Sequence, residues 1–459
     1  MYLHMKGERL SNSILISSHS SILKKRIGWL ELSIIFAYAL LLLIGLSWAR
    51  SMGSVAFAST LLILAIASVS SSEVCCRLLF VCFPFFNLMG SNLGGTSMFY
   101  VIVFLFAVKS LLDGSAGSAS KRLLIYVAII LATLYNFTAG STYLRWLIHI
   151  LVPLLLVATD RTKRHFPTYI KLLTASLVIS SIIGQMMVDS GVYIYNQGSV
   201  WVNSDVTTAR FAGLVGDAVF YGQLISVVIG TNVYLALSGH GYKLLIPMCL
   251  ALAFFAFLTY SKSALVSLAV VAVFLIFGFI RRLFKDNVPV YYVLFVITAL
   301  FVFYWGLTYL LSGSTAFSLD ALTTRLGSND LLTGRNQIWQ AYIGMWNRIG
   351  LPMFFKGIGF DVYSSTMVYE NLHHCHNIYI ESITLFGVIG TAILITALIR
   401  FISFELHRGA TASSLLPCVV LLVSGLILHG FTDYPFFYVW TVALCCIEYS
   451  ASQRTDTCL

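Results

Sequence analysis

The chain has 459 residues, of which 59% are hydrophobic and 10% charged, with a formal net charge of +10 and a mean hydropathy of +0.89. So few charged groups cannot cover a water-facing surface of this size, which excludes a soluble globular enzyme and makes lipid the surrounding medium. The basic excess lies in short segments beside apolar runs, so it reads as a topology signal and not as a nucleic-acid footprint.

In chain order, residues 1–27 are polar, carry Lys24-Lys25-Arg26 and run into a long apolar stretch with no small-residue cleavage site, so they read as a cytoplasmic segment before an uncleaved anchor. Apolar runs able to cross a hydrocarbon layer of about 30 Å then recur. They centre near Ala39, Ile63, Val81, Phe104, Ile130, Leu151, Leu177, Ile225, Leu250, Val271, Ile297, Ile389, Leu422 and Trp440, those near Val81 and Trp440 being short. Allowing for fused or re-entrant runs, the expected fold is all-α: a polytopic helical membrane protein of about 12–14 transmembrane helices. Residues 28–311 would hold the first set of spans and 378–448 the last. Between them 312–377 would form one large extracytoplasmic loop with short amphipathic helices, and 449–459 a cytoplasmic tail.

Alternate counting puts Lys24-Lys25-Arg26, Lys121-Arg122, Arg161 with Lys163-Arg164, Arg281-Arg282 with Lys285, and Arg408 on one side, the cytoplasm by the positive-inside rule. The opposite side receives the loop from Tyr193 to Arg210, the Ser261-Lys262 connection and the large loop. Of the nine cysteines only Cys375 falls in that large polar loop, so no structural disulfide is expected.

A transporter would place ionisable groups at the bilayer midplane. Here they gather at the outer boundary instead: Arg145, Arg210, Asp217, Lys262, Arg325, Arg335, Arg348, Lys356, His373, His374, His376 and Glu381. Cations placed there against the positive-inside bias call for an anionic partner, and a lipid-linked pyrophosphate fits.

Within the large loop, Ile338, Trp339, Tyr342, Ile343 and Trp346 recur at helical spacing and predict an amphipathic helix lying in the membrane interface, opened by Arg335. A guanidinium beside helix N-terminal amides is a cradle for phosphate oxygens, although Arg335 taken alone reads better as a residue snorkelling to lipid headgroups. Further on, His376-Asn377 stands just before the next span, where a neutral imidazole can take a proton from an attacking hydroxyl. The run His373 to His376 holds three histidines and a cysteine, but adjacent loop side chains rarely supply a closed tetrahedral set, so no metal is expected. Taken singly, Asp217 reads as a helix cap or a partner of Arg210, and Lys262 as an interface anchor.

In order along the chain stand Arg210-Phe-Ala-Gly213, Thr259-Tyr-Ser261-Lys262, Thr333-Gly334-Arg335 with Trp339, Pro352, Gly357-Ile-Gly359, and His376-Asn377 followed by Gly387-Val-Ile-Gly390. This series resembles the O-antigen ligase and polysaccharide polymerase superfamily over Arg210 to Gly390. Family members commonly carry Ser-Arg where this chain has Ser261-Lys262, so a point charge replaces a bidentate fork.

The resemblance implies a membrane glycosyltransferase that takes an undecaprenyl-pyrophosphate-linked glycan as donor, inverts the anomeric centre, and works on the periplasmic face of the bacterial inner membrane without metal or other cofactor. Arg210, Lys262 and Arg335 would hold the pyrophosphate, His376 would activate the acceptor hydroxyl, and Asp217, Tyr221, Trp339, Gly359 and Asn377 would complete the substrate site. The acceptor would be a second lipid-linked glycan for a polymerase or a lipid A core for a ligase; the Thr333-Gly334-Arg335 string favours the polymerase, which would also admit a separate chain-length regulator as partner. A flippase for a lipid-linked anion ranks third, because no inverted repeat is visible among the spans.

Overall fold

The computed structural model describes residues 28–89, 97–113, 160–190, 200–203, 206–209, 211–240, 244–285, 335–359, 375–426 and 436–455. Over them the chain is built almost wholly of helices, in agreement with the expected all-α membrane architecture. They are α1 (Trp29–Ala49), α2 (Gly53–Val69), α3 (Ser72–Cys82), α4 (Phe99–Leu112), α5 (Asp160–Asp189), α6 (Ala218–Leu237), α7 (Leu245–Leu258), α8 (Lys262–Lys285), α9 (Arg335–Ile349), α10 (Leu351–Lys356), α11 (Ile378–His407), α12 (Leu416–Ser424) and α13 (Phe436–Thr455).

Trp29–Ala49, His165–Asp189, Ala218–Leu237 and Ile378–His407 are long and apolar enough to cross a membrane, and shorter apolar helices include Gly53–Val69 and Leu245–Leu258. The expected spans near Ile130, Leu151 and Ile297, and most of the large loop, lie outside the described residues. The run near Val81 differs from expectation: α3 ends at Cys82, and a 3-10 turn over Phe83–Phe85 follows. Pro84 lacks an N–H and cannot continue the α-helical ladder. A second departure is a two-stranded antiparallel hairpin, β1 (Val200–Asn203) with β2 (Val206–Ala209), pairing Val200 with Ala209 and Asn203 with Val206. Its Val-Trp-Val and Val-Thr-Thr runs carry the β-branched and aromatic residues that suit strands.

Hydrogen bonds sort the helix ends into two levels. At one, Trp48 Nε1 donates to Leu88 O at 3.1 Å, Asn87 Nδ2 donates to Val215 O at 2.6 Å, and Phe211 N donates to Leu258 O at 3.1 Å. At the other, Lys109 Nζ donates to the Ala67 and Ser68 oxygens at 2.7 and 2.9 Å, capping the C-terminus of α2 with a cation where the helix dipole favours one. Thr411 N donates to Ser450 Oγ at the same level, 2.9 Å.

α6 is the post around which the others stand. Its whole membrane window is buried, and α5, α7, α8, α12 and α13 pack on it. Small residues permit the approach. A Cβ on Gly222 would run into the Ala264 Cβ of α8.

Candidate active site

α9 is the amphipathic helix expected of the large loop. Tyr342 and Met345 are buried along its inner face, with Ile338, Trp339 and Trp346 partly buried beside them, while Asn336, Gln337 and Gln340 face out. Two indoles pin it to the start of α11. Trp339 Nε1 donates to Cys375 O at 2.9 Å, and Trp346 Nε1 donates to Thr384 Oγ1 at 3.0 Å. Arg335 is the first residue of α9, about one turn along the backbone from Trp339. It is therefore brought within a helical turn of the bond that anchors Cys375, the neighbour of His376.

The turn between Cys375 and Asn377 is tightly specified. Cys375 is fully buried, and burial, reinforced by the nearby Glu381 carboxylate, pushes its thiol well above the ordinary value. It is held as the neutral thiol, unsuited to nucleophilic attack. His376 is half-buried and adopts φ 48°, the left-handed region that few non-glycine residues occupy and in which histidine and asparagine are enriched. Asn377 then caps α11: its Oδ1 accepts from Tyr379 N at 2.9 Å and from Ile380 N at 3.1 Å.

Two glycines of the series meet backbone to backbone. α11 breaks at Gly387, φ 68°, which frees carbonyls that an unbroken helix would use. One of them, Thr384 O, accepts from Ile358 N at 3.0 Å. Gly357, φ 84°, crosses at the same point. A Cβ there would stand 2.5 Å from Gly387 N, and a Cβ on Gly387 would stand 2.5 Å from Gly357 N. Gly357 thus has a packing role, and Gly359, expected as a substrate-site residue, completes the turn at φ 71°.

On the other side of the site, Arg210 lies outside the described residues, but its neighbour Phe211 is held by Leu258 O and stacks on Phe255 at 5.3 Å. The segments that begin at Phe211 and end at Leu258 are therefore adjacent, with Thr259 to Lys262 following directly. Lys262 is half-buried as the first residue of α8, just after Ser261, whose hydroxyl shares a hydrogen bond with Ser263 at 2.8 Å. Asp217 caps α6, its Oδ1 accepting from Phe220 N at 2.7 Å. Tyr221 stands at full burial with its hydroxyl bonded to Ser181 Oγ, and its ring fills the space that a side chain on Gly213 would need, at 2.5 Å. Both residues thus have structural partners, a role the spacing alone did not separate from ligand binding.

The two sides are joined through the end of α12. Gln223 Nε2 donates to Ser424 Oγ at 2.6 Å, and Ile378 N donates to Gly425 O at 2.9 Å. Thr384, Gln223, Ser424 and Gly425 were not expected as site residues. The signal for Gln223 was present as an amide within an otherwise apolar run. Among the described residues no group of three or more His, Cys, Asp or Glu is placed to hold a metal ion; His373 and His374 lie outside them.

Both Lys262 and Arg335 open helices. A cation there opposes the helix dipole, whose N-terminal end is already positive, and an anion bound at either helix start would reverse that cost. Residues 247–395 match a family model described as O-antigen ligase.

This stretch is similar to the O-antigen ligase family.

The match takes in Lys262, Arg335, Trp339, Gly357, Gly359, His376, Asn377 and Gly387, so the family resemblance read from the motifs is borne out over the stretch of sequence that contains them. Arg210, Asp217 and Tyr221 stand before it. No curated protein matches the chain.

Proposed function

We propose that the chain is a membrane glycosyltransferase that joins lipid-linked oligosaccharides, acting as a polymerase of polyprenyl-pyrophosphate-linked repeat units. The observation that carries this reading is the Trp339 to Cys375 hydrogen bond, which sets the N-terminal turn of α9, with Arg335, beside the His376 turn. A phosphate-binding cation and a proton acceptor so arranged suit a reaction in which a pyrophosphate leaves and a hydroxyl attacks.

In this reading Lys262 and Arg335, with Arg210, hold the leaving pyrophosphate. His376 accepts the proton of the acceptor hydroxyl as its oxygen bonds to the anomeric carbon. The bond from that carbon to the phosphate oxygen breaks, and the pyrophosphate departs with the electron pair. Attack opposite the leaving group inverts the anomeric centre. Asn377 keeps the turn rigid by capping α11.

The site faces the extracytoplasmic side of the bacterial inner membrane. Support comes from the basic residues at the other level: Arg161, Lys163 and Arg164 open α5, and Arg408 ends α11. The termini are then cytoplasmic, and 312–377 is the extracytoplasmic loop, with α9 and α10 as its short helices.

A ligase transferring finished polymer to a lipid A core is the second reading, favoured by the description of the matching family model. Saccharide analysis of cells lacking the chain, and of cells restored with wild type, Arg335→Ala or His376→Ala at checked expression, separates them. Lipopolysaccharide with a single repeat unit identifies the polymerase. Bare core with accumulated lipid-linked polymer identifies the ligase. Full-length glycan from both variants overturns the site.

A further inference from the structure

Gly222 and Gln223 are consecutive on α6, so they point about 100° apart. Gly222 faces α8, where the space for a side chain is taken by Ala264, two residues after Lys262, with Thr259 Oγ1 close behind at 3.4 Å from the Cβ position. Gln223 faces α12 and holds Ser424, and the next residue, Gly425, holds Ile378, two residues after His376. A Cβ on Gly425 would stand 2.5 Å from Ile378 Cγ2, so that joint has no slack. One dipeptide on the most enclosed helix thus touches both halves of the site.

Gln223 is an expensive residue for this position. It is fully buried, as is Ser424, and its Oε1 has no hydrogen-bond partner among the described residues. An unmatched buried acceptor destabilises the fold, whereas a methionine of similar length would fill the space with no polar atom to satisfy. The amide is explained by the bond it makes rather than by packing.

We infer that Gly222-Gln223 sets the separation between Lys262 and the His376 turn, with Gln223 acting as a positioning residue through Ser424 and Gly425. The inference rests on the glycosyl-transfer reading above. It treats α6 as the fixed reference from which leaving-group binding and hydroxyl activation are both measured.

The test uses full-length wild type, Gln223→Met and Ser424→Ala in proteoliposomes with a lipid-linked oligosaccharide donor, reading kcat and KM, thermal stability, and amide exchange over residues 376–382. The expected result is a kcat lowered about ten- to a hundredfold with KM unchanged, stability equal to or above wild type for Gln223→Met, and faster exchange across the Ile378 amide. The double variant should be no worse than the weaker single one, because both remove the same bond. Wild-type kcat in Gln223→Met overturns the inference, as does a loss of activity that only tracks a loss of stability. If wild type transfers nothing from any lipid-linked donor, the glycosyl-transfer reading falls. Exchange then decides the positioning role alone: faster in both variants supports it, unchanged overturns it.

Discussion

The indole of Trp339 donates to the backbone oxygen of Cys375 at 2.9 Å, and that bond joins the turn that begins with Arg335 to the residue before His376. Replacing the indole by a phenyl ring keeps most of the packing and removes the donor. Trp339→Phe leaves a carbonyl of a fully buried residue without this partner, at a cost of about 1–3 kcal/mol. The expected outcome is a folded protein with a lowered melting temperature and glycan synthesis reduced at least tenfold. Wild-type synthesis from a stably expressed Trp339→Phe would mean that the registration of α9 on Cys375 is dispensable.

His376 combines an imidazole with a left-handed backbone, and the two requirements can be separated. Asparagine tolerates this φ comparatively well, so His376→Asn is expected to keep the fold and the α11 cap. It cannot serve as a base near neutral pH. Transfer should fall about 10²- to 10⁴-fold at unchanged expression and melting temperature. Retained transfer would remove His376 from the chemistry.

Asn377 is assigned a cap, and the cap has a distinctive mutational signature. Asn377→Ala loses the acceptor for two amides and should cost about 0.5–2 kcal/mol. Asn377→Asp keeps the acceptor and adds a negative charge where the helix dipole favours it, so stability should be preserved. Thermal unfolding in detergent of both variants checks this. An Asn377→Asp protein as unstable as Asn377→Ala would contradict the capping geometry.

Gly357 and Gly387 press together with positive φ at both positions, and neither has a side chain on its partner that could move aside. Each alanine variant must displace main chain, so each should destabilise by more than the roughly 1–3 kcal/mol typical of side-chain overpacking. The pair should not rescue one another. Gly344 is the control: a Cβ there meets nothing within 4 Å, and Gly344→Ala should express and melt at least as well as wild type, since alanine favours a helix.

The membrane architecture was legible because apolar runs dominate the composition, and every expected span that falls within the described residues is met by a helix. What misled near Val81 was continuity of hydropathy: Phe83, Phe85 and Phe86 extend the apolar run, while Pro84 ends the regular helix beneath it. The hairpin at Val200–Ala209 was hidden because its strands are only four residues long. In the candidate site, Arg335 stood out as a cation on the outer side against the positive-inside bias, Trp339 through the helical spacing of its segment, and His376 as an imidazole just before a span. The roles of Asp217 and Tyr221 could not be separated, since a cap and a contact to a sugar hydroxyl use the same carboxylate, and a phenol bonded to Ser181 looks the same on paper as one facing a substrate. Gln223 and Ser424 are 201 residues apart in the chain. No local pattern announces a contact of that span.

The pins between the α9 to Ile358 segment and α11 have a further consequence for how chain length can vary. Trp339, Trp346, Gly357 and Ile358 engage Cys375, Thr384 and Gly387 in one fixed order. Adding or deleting one residue within α9 between Trp339 and Trp346, or within α11 between Ile378 and Gly387, would rotate a helix by about 100° and put every later pin out of step. Length changes are excluded from these two stretches, whereas the pins themselves place no such limit on the sequence between Ile358 and Cys375.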